Sequence, residues 1–191
     1  MKRRDYKTYK EYLAHQAAKT KAVKAGRVRR RRFADEVRKF SRLLAPVKAF
    51  CFPGARAVCL GARQGGEVQA LIDMGYEAVG VDLVAFEPLV VAGDFHDLPF
   101  GDASFDLVFS NAIDHVFDLD KVAAEIVRVT RPGAYVLLHL MLRRWSDEVA
   151  LQLDSSDEMS RRLAGFETIA DKPITHYGGG LNHLLLMRKG D

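Results

Sequence analysis

Cysteine is scarce in this chain: Cys51 and Cys59 are the two that occur in 191 residues. Two thiols eight positions apart form neither a disulfide framework nor a metal knuckle. Cys59 stands inside an apolar run and reads as a small core residue. The six histidines lack the paired spacing of a zinc site, so no metal is expected. Long apolar runs are missing too. The longest, Ala134 to Leu142, is interrupted by His139 and is far too short to span a bilayer. No apolar stretch follows the basic start of the chain, as a secretory signal requires. These absences make the cytoplasm the expected location. There is no internal repeat, and low complexity is confined to the Arg29–Arg32 run.

What is present is an ordinary globular composition, 48% hydrophobic and 28% charged, in a length that suits one sizeable core. The net charge of +4 conceals an asymmetry. Met1 to Lys48 holds 17 Lys/Arg against 4 Asp/Glu, for +13, and the rest carries −9. Two parts are expected: a basic helical extension over 1–48 and a larger domain over 49–191.

Periodicity supplies the elements. Tyr6, Tyr9, Leu13 and Ala17, then Phe33, Val37, Phe40 and Leu44, recur at helical spacing, with Gly26 as a break between two helices. After Pro46 and the turn at Phe52 to Ala55 the pattern alternates. "ARAVCLGA" predicts a buried strand, Gly66 to Met74 a helix, and "EAVGVDL", "LVVAGD" and "FDLVFSN" three further strands. Leu119 to Thr130 predicts an amphipathic helix ending before "RPG", and "YVLLHLM" a fifth strand. A helix is expected over Ser146 to Ala164, broken near Asp154 to Asp157. "GFETIADKPIT" and "LNHLLLMRK" predict two final strands joined at Gly178 to Gly180. Strands alternating with helices imply an α/β fold. The expected form is a Rossmann-like three-layer sandwich with a mostly parallel seven-stranded sheet, an antiparallel C-terminal hairpin and added N-terminal helices.

In such sheets ligands sit beyond the carboxyl ends of the strands. The first strand leads into Gly61-Ala62-Arg63-Gln64-Gly65-Gly66-Glu67, and the second into Asp82-Leu83. The third is followed by Asp94, Phe95 and His96, and the fourth by Asn111, Asp114 and His115. Glycines at such a turn let backbone N–H groups approach a ligand, and a carboxylate about 20 residues on suits ribose hydroxyls.

Four passages occur in order: "AVCLGARQGGEV", "AVGVDL", "GDFHDLPFGDASFDLVFSNAIDHV" and "EIVRVTRPGAYVLL". Together, over about Arg56 to Leu142, they resemble the successive motifs of the class I S-adenosylmethionine-dependent methyltransferases, most closely the type 11 methyltransferase-domain proteins. The resemblance implies S-adenosylmethionine as cofactor and S-adenosylhomocysteine as product. It implies cofactor contacts from Gly61, Ala62, Arg63, Gly65 and Glu67 in the turn. Asp82 and Leu83 would serve the ribose, Asp94 and Phe95 the adenine, and Asn111 the methionine end. Two positions depart from the pattern. Cys59 stands where such proteins usually place an acid for the cofactor's amino group, and Arg63 replaces the middle glycine. The Arg63 guanidinium is expected to pair with the cofactor's carboxylate or with Glu67.

Methyl transfer needs alignment, exclusion of water and, for an oxygen acceptor, a base. His115 is the expected base with Asp114 orienting it; the alternative is that Asp114 caps a helix and His115 packs. His96, Tyr9 and Tyr12 are candidate acceptor contacts. His139, within an apolar strand, is expected to be a core histidine. The basic extension has three readings: a lid over the acceptor pocket, a nucleic-acid arm, or a solvated face. The expected function is methylation of a small-molecule or glycan-type acceptor, at oxygen. The alternatives are an RNA methyltransferase guided by the basic arm and a non-catalytic cofactor-binding regulator.

Overall fold

The structure is a computed structural model that describes residues 2–25, 33–144, 150–175 and 180–191. Its elements run β1 (Lys2–Arg3), α1 (Tyr9–Lys24), α2 (Phe33–Leu43), β2 (Arg56–Leu60), α3 (Gly66–Asp73), β3 (Glu77–Asp82), β4 (Val90–Ala92), β5 (Phe105–Ser110), α4 (Leu119–Val129), β6 (Thr130–Leu140), β7 (Leu151–Gln152), α5 (Asp157–Ser160), β8 (Phe166–Pro173) and β9 (His183–Lys189). Short 3-10 segments lie at Ala45–Phe50 and Ile113–His115. The expected break at Gly26, the Arg29–Arg32 run and the turn at Gly178 and Gly179 lie outside the described residues. No described helix is long and apolar enough to cross a membrane.

Seven strands form one sheet in the order β4-β3-β2-β5-β6-β9-β8. The first five are parallel to their neighbours, and β9 inserts antiparallel between β6 and β8. This is the expected mixed sheet with its C-terminal hairpin. The chain runs outward from β2 to β4 and then returns to β5 beside β2. That reversal opens a crevice at the carboxyl ends of β2 and β5.

Side chains alternate across the sheet, as the two-residue strand period requires. Val58, Leu60, Val108, Val136 and Leu138 face α4, where they meet Val122, Ile126 and Val129. Ala57, Cys59, Leu107, Phe109 and Leu137 face the opposite layer, where they meet Phe40 and Leu44 of the α2 region and Val68 and Leu71 of α3. The α4 start is fixed by the Asp118 carboxylate, which accepts from the Asp120 and Lys121 backbone N–H groups. The buried face is what the apolar spacing of α4 predicts; the cap is Asp118 rather than Asp114, the cap considered from the sequence.

Two expectations need correction. Of the helix expected over Ser146–Ala164 with a break near Asp154 to Asp157, the part before that break is not helix among the described residues. Residues 146–149 lie outside the described residues, Leu151–Gln152 is β7, paired antiparallel with β1, and helix is confined to Asp157–Ser160. The backbone is satisfied at long range: Ala150 N–H donates to Asp114 O, and Arg4 N–H to Ala150 O. Secondly, the fifth strand, expected over "YVLLHLM", begins earlier and takes in "RPG". β6 begins at Thr130, which pairs with Phe105, and an irregularity follows before Leu107 pairs with Tyr135.

The motif residues after the third strand are tied together structurally. Glu125 of α4 accepts from Leu98 N–H at 2.7 Å and pairs with Arg128. Arg128 also donates to the Leu98 and Phe100 carbonyls and to Asp102. Arg131 donates to both Asp106 oxygens and to Ala103 O. The glutamate and two arginines of "EIVRVTRPG" thus clamp the loop between β4 and β5. They serve the scaffold and stand apart from the crevice.

Candidate functional site

A cavity of about 360 Å³ occupies the crevice, a size within the ordinary range of small-ligand sites. Its floor is the β2–α3 turn. Gly61 N–H and Ala62 N–H both donate to Val81 O, and Gly65 N–H donates back to Ala62 O. The turn requires left-handed backbone at three places: Gly61 (φ 75°), Arg63 (φ 45°) and Gly65 (φ 82°). A Cβ on Gly61 would lie 2.6 Å from the Ala112 Cβ, so both backbone angle and space demand glycine there. Arg63 keeps the left-handed geometry of a glycine while carrying a side chain.

Of the residues expected to contact the cofactor, Gly61, Ala62, Arg63, Glu67, Asp82, Leu83, Phe95 and Asn111 line this cavity, together with Asp114, His115 and Tyr12. Gly65, Asp94, His96 and Tyr9 do not line it. Gly65 shapes the turn beneath. Asp94 receives hydrogen bonds from the Tyr9 hydroxyl and from the backbone N–H and Nδ1 of His96. Burial alone would raise the Asp94 carboxyl, but these bonds outweigh it and hold it below the usual carboxylate range. The His96 ring, 1% exposed, accepts at Nε2 from the Phe117 and Asp118 backbone N–H groups. Its proton therefore sits on Nδ1, pointed at Asp94. In this arrangement His96 joins loop to loop.

Asp82 closes β3 at 8% exposure. Its carboxylate accepts from Arg63 N–H at 3.1 Å, from Val84 N–H at 3.4 Å and from the Thr20 hydroxyl. Burial pushes it up despite these bonds. Glu67, 5% exposed in the first turn of α3, is pushed up to about 8 by burial and by the nearby Glu36 and Asp82 carboxylates, against Arg63. No ion pair joins Arg63 to Glu67 among the described residues.

At the other end, Asp114 is pushed up to about 6 by burial. His115 Nε2 lies 3.7 Å from an Asp114 oxygen, and its Nδ1 lies 3.3 Å from Lys19 Nζ. Lys19 comes from α1. It belongs to a group that the sequence reading missed: Gln16, Lys19 and Thr20 of α1, and Glu36, Lys39 and Phe40 of α2, also line the cavity. The expected inward stripe of α1 was Tyr6, Tyr9, Leu13 and Ala17. The buried residues are instead Tyr12, Gln16 and Thr20, one face at four-residue spacing. A helix packed over a polar cavity turns polar residues inward, which apolar periodicity does not register. Tyr9 and Tyr12 hold it there by edge-on contacts with His96 and close packing against Phe117.

The donor set suits a nucleoside joined to an amino acid. A buried carboxylate ends β3, apolar Leu83 and Phe95 lie nearby, and a carboxylate and an arginine flank the glycine turn.

Comparisons with known proteins agree with the geometry. Residues 58–138 match the family described as methyltransferase domain. A phthiotriol/phenolphthiotriol dimycocerosates methyltransferase of Mycobacterium ulcerans is 37% identical over 82 residues, 42% of this chain and 30% of the relative. A malonyl-[acyl-carrier protein] O-methyltransferase of Erwinia billingiae is 52% identical over 46 residues, 24% of this chain and 18% of the relative. Each match thus spans less than a third of the relative's length. Among solved structures, the 1,6-didemethyltoxoflavin N1-methyltransferase of Burkholderia thailandensis, bound to S-adenosylhomocysteine, superposes with a TM-score of 0.74 at 19% identity. It covers 98% of this chain and 93% of that one. The ordered motifs, the sheet order and the family match over residues 58–138 together support a methyltransferase domain of the class I, S-adenosylmethionine-dependent type in that part of the chain.

Proposed function

We propose that the chain methylates a small-molecule acceptor at oxygen, with S-adenosylmethionine as donor. The observation that carries this reading is one cavity holding two chemically distinct ends. The Asp82 and glycine-turn end suits the cofactor, and the Asp114–His115–Lys19 end suits proton transfer. The cofactor supplies a sulfonium-bound methyl group, already electrophilic.

The protein's part is binding, alignment and handling of a proton. Asp82 accepts from ribose hydroxyls, which requires the Thr20 hydroxyl to yield its place. Phe95 frames the adenine side and Asn111 the methionine side, with Gly65 keeping the turn open and Asp94 taken up by its bonds to Tyr9 and His96. Lys19 Nζ donates to His115 Nδ1, which leaves the ring proton on Nε2, toward Asp114. An acceptor hydroxyl replacing Lys19 at Nδ1 gives its proton to His115, and the Asp114 carboxylate stabilises the resulting imidazolium. The α1 face formed by Tyr12, Gln16 and Thr20 covers the cavity and excludes water, so the basic extension acts as a lid.

The relatives' names support a small acceptor without fixing it: one is an O-methyltransferase of malonyl-[acyl-carrier protein], another an N1-methyltransferase of a toxoflavin precursor. The oxygen assignment rests on the histidine–aspartate pair, and the lid reading on the α1 contacts. Calorimetric titration with S-adenosylhomocysteine tests the first end. Micromolar or tighter binding is expected, lost in Asp82→Ala. Labelled cofactor with pooled metabolite fractions tests the second. Methyl transfer to a hydroxyl- or carboxyl-bearing product is expected, at least ~100-fold slower in His115→Gln. A folded protein that does not bind the cofactor overturns the proposal.

A further inference from the structure

Glu67 is placed at odds with ordinary structural use. Its side chain faces the cavity, yet the residue is 95% buried, with 5% exposure. Among the described residues its carboxylate makes no ion pair, and its hydrogen bond is to its own backbone N–H. Two of its charged neighbours, Glu36 and Asp82, oppose its ionisation. A carboxylate in such a position is costly unless a cation arrives to meet it. Beneath it lies Cys59, fully buried at the end of β2, whose thiol the Glu67 carboxylate helps to raise. The thiol does not ionise to serve a cation, whereas Glu67 brings a carboxyl that can to the same spot from the neighbouring helix.

Arg63 precedes Glu67 by four positions, in the β2–α3 turn. Its backbone is fixed by the Asp82 bond, and its guanidinium, on an exposed residue, makes no hydrogen bond among the described residues. One buried acid and one available guanidinium thus flank the turn, and the acid takes a charge opposite to the guanidinium's once a cation draws off its proton. An α-amino acid end of a ligand presents the complementary pair, an ammonium and a carboxylate on one carbon.

We propose that Glu67, with Glu36 beside it, is the receptor for the α-ammonium group of the cofactor, and that Arg63 takes the adjacent carboxylate. The ammonium site has thereby moved from the end of β2, where Cys59 stands, to the first turn of α3. This rests on the cofactor reading above. It carries a proton consequence. Glu67 holds a proton at neutral pH in the empty cavity, and to meet an ammonium it must release that proton to the buffer.

The test is calorimetric titration at pH 7 in phosphate and in Tris, whose ionisation enthalpies differ. Wild type and Glu67→Gln are each titrated with S-adenosylhomocysteine and with 5′-methylthioadenosine, the same nucleoside thioether without its amino-acid end. In Glu67→Gln, S-adenosylhomocysteine is expected to bind about 10–100-fold more weakly, with 5′-methylthioadenosine unchanged. Proton release approaching one per ligand is expected for wild type with S-adenosylhomocysteine and absent in the variant. Equal weakening for both ligands, or unchanged binding of S-adenosylhomocysteine, overturns the assignment while leaving the cofactor reading intact. A wild type that binds neither ligand overturns the cofactor reading and this assignment with it.

Discussion

The Tyr9 hydroxyl on α1 donates a hydrogen bond to the Asp94 carboxylate, 85 residues away in sequence. Eleven residues further along the same helix, the Thr20 hydroxyl donates to Asp82. The two carboxylates that end the second and third strand motifs are therefore both bonded to one helix, α1. That helix is fastened to the sheet through the acids of the site itself.

Removing the first fastening has a measurable cost. Tyr9→Phe deletes a donor to a partly buried carboxylate while keeping the ring that packs on His96 and Phe117. A loss of about 1–2 kcal/mol is expected, seen as a fall of ~2–8 °C in Tm. Faster hydrogen exchange confined to α1 is the accompanying signature. An unchanged Tm and exchange pattern would show that the aromatic contacts alone hold the helix.

Arg63 pays for its place in the turn with left-handed backbone. Arg63→Gly relieves that strain, so a stability gain of up to about 1 kcal/mol is expected. If the guanidinium holds the cofactor's carboxylate, the same variant binds S-adenosylhomocysteine about 10-fold more weakly. Thermal melting and titration on one sample separate the two effects. A variant that is more stable and binds equally well removes the proposed role of the side chain.

Asp114 is held at about 6 by burial, above its ordinary 3.8. A carboxyl raised in the fold contributes stability fully present below pH 3.8 and lost as pH rises through 6. Asp114→Asn removes that loss, so the variant is expected to be more stable than wild type by about 1–3 kcal/mol at pH 8 and little different at pH 4. Urea unfolding at both pH values measures it. A gain at pH 8 with slowed methyl transfer would identify the buried acid as kept for chemistry at the expense of stability.

His139 shows the opposite case in the core. Burial, with Lys39 adding to it, lowers the ring to about 3 from 6.5. The unfolded chain then binds a proton that the folded chain refuses between those values. Stability falls as pH drops below 6.5, by at most about 1.4 kcal/mol per pH unit. His139→Leu is expected to flatten the wild-type slope between pH 6.5 and 4, read as the difference in urea midpoints. Parallel slopes for the two proteins would contradict it.

Much of this molecule was legible in its sequence because the relevant signals are local. Apolar alternation in "ARAVCLGA" and "FDLVFSN" marked buried strands, and the spacing of Val122, Ile126 and Val129 marked the face of α4. The glycine turn and the acids Asp82, Asp94 and Asp114 were visible as residues following strands. The failures were non-local. Leu151 is strand because Lys2 and Arg3 pair with that segment, and Thr130 to Gly133 is strand because Phe105 provides an edge. No periodicity within either segment carries that information.

The sequence by itself determined the sheet, its alternating faces and the end of the sheet at which the site lies, since strand periods and turn residues act over a few positions. Tertiary structure alone decided what fills the site. Only packing brought Gln16, Lys19 and Thr20 of α1 and Glu36 of α2 into the cavity. Only packing placed His96 in the scaffold and set the buried carboxyl of Glu67 over Cys59. Burial and proximity arise between segments distant in the chain, and they govern which of its carboxylates and histidines hold structure and which remain for ligand and proton.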